Sequence, residues 1–95
     1  MFLIKLRFKG SASSTPSQIE GHREWLSAGF DDGVFLLAGS LDGAAGGAVL
    51  AHAVGREELD AIVARDPFVS EGIVTAEVTE FTPARTDERL AFLAT

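Results

Sequence analysis

The chain is 95 residues long, 46% hydrophobic and free of cysteine, which suits one globular core and excludes disulfides, thiolate nucleophiles and zinc-thiolate sites. A formal charge of -6, from 8 basic and 14 acidic residues, repels phosphate backbones and argues against a nucleic-acid partner. No apolar run reaches membrane-spanning or leader length, so the expectation is a soluble, cytoplasmic protein with no membrane partner.

At the amino terminus Phe2, Ile4, Leu6 and Phe8 alternate with Leu3, Lys5, Arg7 and Lys9, a period of two that predicts a strand with one apolar and one largely cationic face. The loop GSASS follows. In TPSQIEGHREWLSAGFDDG, Thr15 is placed to accept from the backbone of Gln18, Gln18 can reach back, and Pro16 suits the first helical position. A capped helix is expected here, with Ile19, His22, Leu26 and Phe30 on one stripe and Gly33 as its stop. VFLLAGSL is apolar on both faces and predicts a second strand covered on both sides. DGAAGG is its turn, lacking both the Lys-Ser/Thr ending of a phosphate loop and the strand-to-helix setting of a dinucleotide turn. AVLAHAV predicts strand three, and REELDAIVAR a second helix with Leu59, Ile62 and Val63 inward, ending near Arg65. Asp66 and Pro67 then read as the N-cap and first position of a short turn, PFVSE, closed by Gly72. GIVTAEVTEF alternates as strand four up to Pro83, and ARTDERLAFLAT is a tail with a further helical turn or two.

Strand, helix, strand, strand, helix, strand is the split βαβ order of an α+β, ferredoxin-like fold, a four-stranded antiparallel sheet with two helices on one face. The usual strand order puts strand two at an edge, yet VFLLAG has no Lys, Pro or bulge to protect it. A single helix layer also leaves the second sheet face bare. A twofold partner packing sheet to sheet would cover both, so a homodimer is expected.

His22 sits on the apolar stripe, and histidine is the side chain that exchanges protons near neutral pH; a histidine so placed also packs on a sheet and bonds a backbone carbonyl. Asp66 is a helix cap, and a carboxylate fixed by its own backbone is equally a rigid group against which an imidazole can be oriented. With the two helices side by side on the sheet, these residues are able to meet over it. Trp25 and Phe68 either wall an aromatic substrate or belong to the core. Lys5 and Arg7 are costly to bury unpaired on a central strand, and Glu77 or Glu80 across a dimer interface are the expected partners; the alternative has them drawing in an anionic substrate. Ser40 either donates to a ligand or begins the turn. His52 has no acidic or histidine neighbour at i+2 or i+4, so no metal site is expected there and it reads as surface or interface.

Taken together, GHREWL in helix one, GVFLLAGSL in strand two and RDPFVSEGIV after helix two resemble the YCII-related family of the dimeric α/β barrel superfamily. The likeness covers a core of residues 2–82 and leaves residues 83–95 as a tail with no family meaning. It implies that His22 and Asp66 form the active-site pair, without a cofactor, for acid-base chemistry on small and often aromatic-derived molecules. One relative eliminates hydrogen chloride from a chlorinated hydroxyhydroquinone, and similar barrels host muconolactone isomerases. Relatives commonly carry proline where this chain has Ser40, so the substrate cleft is expected to differ.

Proton removal from carbon or a phenol at neutral pH needs a base such as His22, and a carboxylate on the other ring nitrogen fixes its tautomer. The expected function is therefore a metal-free lyase or isomerase, with His22 as base, Asp66 as its orienter, and Trp25, Phe68, Ser40 and Arg7 around the substrate. The alternative is a non-catalytic dimeric module that holds a small ligand with the same residues.

Overall fold

The computed structural model describes residues 1–10 and 14–94; most of the GSASS loop lies outside them. Strands β1 (Phe2–Phe8), β2 (Phe35–Ser40), β3 (Gly46–Ala51) and β4 (Val74–Glu80) form one antiparallel sheet in the order β2-β3-β1-β4. Helices α1 (Pro16–Asp31) and α2 (Arg56–Ala64), with a short α3 (Pro67–Ser70) between α2 and β4, complete an α+β, ferredoxin-like fold.

The alternation in β1 does what its period requires. Phe2, Ile4 and Leu6 are buried, and the register sets Ile4 opposite Val49 of β3 and Val78 of β4 on the same face. Leu59 and Val63 of α2 close over this face with Phe35, Phe68 and Val74. Full burial of Phe2, Ile4 and Leu59 contributes about 1.5–3 kcal/mol each.

The capping box of α1 forms as its sequence predicts, with Thr15 accepting from the Gln18 backbone at 3.2 Å and Gln18 accepting from the Thr15 N–H at 2.8 Å. Its inward face differs from the predicted stripe. Ile19 and Phe30 are 38% and 43% exposed, and the helix docks through Gly21, His22, Trp25, Leu26 and Gly29. At 100° per residue this face is turned by about 70° from the apolar stripe. The cause is contact at two glycines: a Cβ on Gly29 would fall on the Phe35 ring, and one on Gly21 would lie 2.9 Å from Cγ of Pro67.

Strand β2 is the sheet edge, as expected, but two features depart from expectation. It carries a bulge between Phe35 and Leu37, and only its start is covered within the chain, with Val34 and Phe35 buried while Leu37 is 57% exposed. Strand β3 stops at Ala51, so His52 lies beyond it, its N–H donating to the Val34 carbonyl at 2.9 Å and its ring against Phe92 of the tail at 5.9 Å. Arg7 finds Glu77 at 3.8 Å within its own sheet, so this pairing needs no second chain. The tail forms 3-10 turns over Glu88–Leu93. Among the described residues no helix is long and apolar enough to cross a membrane.

Candidate active site

Among the described residues, Asp66 is the one polar side chain buried in the core. Proline at position 67 forces it out of the helical region, to φ -64° and ψ 123°, which ends α2 and turns its side chain back over the start of α3. Its N–H donates to the Val63 carbonyl, its own carbonyl accepts from Val69 and Ser70, and its Oδ1 accepts from the Phe68 N–H at 3.1 Å. The side chain is wholly buried, and Oδ2 has no hydrogen-bond partner among the described residues. A carboxylate taken out of water is costly unless neighbouring groups make use of its charge.

That use is visible across the helix interface. His22 projects from α1 and its Nδ1 donates to Asp66 Oδ1 at 2.9 Å. Because a carboxylate only accepts, the bond places a proton on Nδ1 and leaves Nε2 as the ring nitrogen not engaged by Asp66. The ring lies parallel to Phe68, at 4.3 Å and 7°, and stacks on Trp25 at 5.7 Å and 27°. Trp25 is itself fastened by its indole N–H to the Ile62 carbonyl at 2.8 Å. The imidazole is thereby fixed in both position and tautomer.

Beside it a cleft of about 600 Å³ opens between α1 and the β2-β3 hairpin. His22, Phe68 and Phe8 meet Leu26, Ser40 and the bare backbone of Gly47 around it. Among the described residues only His22 and Ser40 bring polar side chains to its lining.

Of the residues singled out from the sequence, His22, Asp66, Phe68 and Ser40 come together, with Asp66 behind the imidazole and Phe68 and Ser40 in the cleft wall. Trp25 does not line the cleft; it braces the ring from the core side. Arg7 is on the opposite face of the sheet, since β1 alternates and Leu6 faces the cleft. His52 packs at the tail, away from this site. Among the described residues no group of three or more ligating side chains could hold a metal. Gly21 was not among the residues singled out. Its signal is a glycine inside a well-capped helix, where it costs about 1 kcal/mol and calls for a packing reason.

The model of the YCII-related domain matches residues 2–82, the whole sheet together with all three helices. The chain belongs to the YCII-related family. Among solved structures, this YCII-related chain is similar to the 5-chloro-2-hydroxyhydroquinone dehydrochlorinase of Burkholderia phenoliruptrix, determined in complex with 2,5-dihydroxybenzoquinone. The likeness is 20% in sequence, covers 84% of this chain and 91% of that one, and has a TM-score of 0.64. At that identity it establishes the fold alone, the four-stranded antiparallel sheet with its helices. No curated protein matches.

Proposed function

We propose that this YCII-related protein is a small-molecule lyase or isomerase, acting as a cytoplasmic homodimer, in which Nε2 of His22 is the general base and Asp66 holds and charge-balances the imidazole. The observation that carries the reading is the 2.9 Å bond from Nδ1 to a wholly buried carboxylate, on a histidine that lines a ligand-sized cleft. The solved dehydrochlorinase, which acts on a chlorinated hydroquinone, supplies the chemical precedent on the same fold. Nε2 takes a proton from a carbon or phenolic oxygen of the bound ring. The electron pair left behind then either expels a leaving group, which is elimination, or accepts a proton at a second position, which is isomerisation. Asp66 stabilises the imidazolium formed on the way, and such proton transfer contributes about 10² to 10⁴ in rate.

The test is a panel of chlorinated hydroquinones and enol lactones, read by halide release and ultraviolet absorbance. Wild type is expected to turn over at least one member. His22→Asn should lose about 10²-fold or more in kcat, and Asp66→Asn about 10- to 100-fold through the wrong tautomer. Ligands that raise the melting temperature of wild type without any turnover across the panel would instead make the chain a binding module.

A further inference from the structure

The cleft is unusual for an acid-base site in what it lacks. Its lining is built from Leu, Phe, Val, Ala and Gly side chains, with His22 and Ser40 as its two polar contributors among the described residues. Two cations, Lys5 and Arg7, are carried by the strand that also supplies Leu6 and Phe8 to the lining, but the period of two turns both to the other sheet face. Residues 11–13, Ser-Ala-Ser, bring no charge by composition. An anionic ligand would therefore meet no Lys or Arg side chain in the lining among the described residues, and a charge that gives up water needs such a partner. An uncharged ring meets aromatic walls instead, Phe68 lying 4.3 Å from His22 and 6.2 Å from Phe8.

Ser40 stands on β2, opposite Gly47, which has no side chain to screen it. Alternation past the bulge puts Ser40 on the helix side of the sheet, so its hydroxyl and the His22 imidazole reach the cleft from different walls, strand and helix.

We propose that the cleft selects an uncharged phenolic or quinonoid ring bearing two oxygen substituents, one taken by Nε2 of His22 and the other by Oγ of Ser40, and that it rejects the same ring carrying a carboxylate. This rests on the reading of His22 as the working base and adds the ligand class and Ser40 as the residue that sets it.

A pair of ligands equal in size and differing only in charge tests this: 2,5-dihydroxybenzamide and 2,5-dihydroxybenzoate, titrated into the full chain at neutral pH and followed by amide and imidazole NMR shifts. The benzamide should bind with perturbations at Ser40 and His22, and the benzoate at least tenfold more weakly. Ser40→Ala should weaken the benzamide at least fivefold while Ser40→Thr restores it. Ala38→Lys, at an exposed edge-strand position in the same lining, should reverse the preference. Equal or tighter binding of the benzoate to wild type, no binding of either ligand, or an unchanged affinity in Ser40→Ala would each overturn the proposal. Selective benzamide binding with no turnover on any phenolic substrate would leave the selectivity standing and remove the base role of His22, so the two failures are told apart.

Discussion

At the residue scale the decisive contact is made by a side chain that does not exist. Gly21 precedes His22 and faces Pro67, the residue after Asp66, so the absence of a Cβ sets how near the imidazole comes to the carboxylate. Two effects oppose each other in Gly21→Ala. Helix propensity favours alanine by about 1 kcal/mol, whereas forcing a methyl against a stiff proline ring costs about 1–3 kcal/mol. Net stability is thus expected to change little or fall by up to about 2 kcal/mol. The informative readout is the hydrogen-bonded Nδ1 proton of His22, which should lose its downfield NMR resonance as α1 is pushed away. A Gly21→Ala protein that is more stable with the resonance intact would show that propensity wins and the contact does not set the distance. His22 and Asp66 are legible in the sequence through their motifs and through the Asp-Pro cap. Gly21 is not, because glycine carries no polarity or hydropathy signal and its role exists only relative to Pro67.

At the scale of the element, α1 shows where periodicity misleads. Reading Ile19, His22, Leu26 and Phe30 as the inward stripe treats apolar side chains as the only things a helix buries. In the folded chain the centre of the buried face is Gly29, against the Phe35 ring, and the two outer members of the stripe stay more than a third exposed. Close backbone approach to an aromatic ring at one glycine and to a proline at another rotates the helix, and that rotation carries His22 to the Asp66 corner. Gly29→Ala should therefore destabilise by about 1–3 kcal/mol despite the better helix former, since the buried Phe35 has no room to yield. Urea denaturation measures this, and Phe35→Leu should recover part of the loss by replacing the flat ring with a smaller side chain. The caps of α1 and α3 were legible to the residue, because Thr15 with Gln18 and Asp66 with Pro67 are local chemistry requiring no knowledge of the rest of the fold. The end of β3 was not: the run AVLAHAV continues past Ala51, but Ala53 takes φ of 67° and turns the chain toward α2.

At the scale of the whole molecule the sheet has one covered face and one that the chain leaves open. On the open face Leu3, Lys5 and Leu50 are half-buried, and Leu37, Arg7, Thr75, Glu77 and Thr79 are exposed. The strand order, this bare face and Glu77 as a partner for Arg7 follow from the sequence pattern; that the pair forms within a single sheet does not, because Glu77 comes near Arg7 only once β1 and β4 are in register. An exposed ion pair of that kind is worth about 0–1 kcal/mol, so it neither closes the face nor keeps a second molecule away. A second copy packed sheet to sheet would bury Leu37 and Leu3 and support the edge strand. The bulge twists only the beginning of that strand, leaving Ala38 to Ser40 unprotected. Those residues also line the cleft, so association and ligand binding should be coupled through β2. Wild type is expected to sediment as a dimer at micromolar concentration and Leu37→Glu as a monomer, since a carboxylate at that position would be buried without a partner. If the coupling holds, Leu37→Glu also binds 2,5-dihydroxybenzamide at least several-fold more weakly, although Leu37 points away from the cleft. A monomeric wild type would refute the dimer, and a monomeric Leu37→Glu with unchanged affinity would show that one chain holds the edge strand in place by itself.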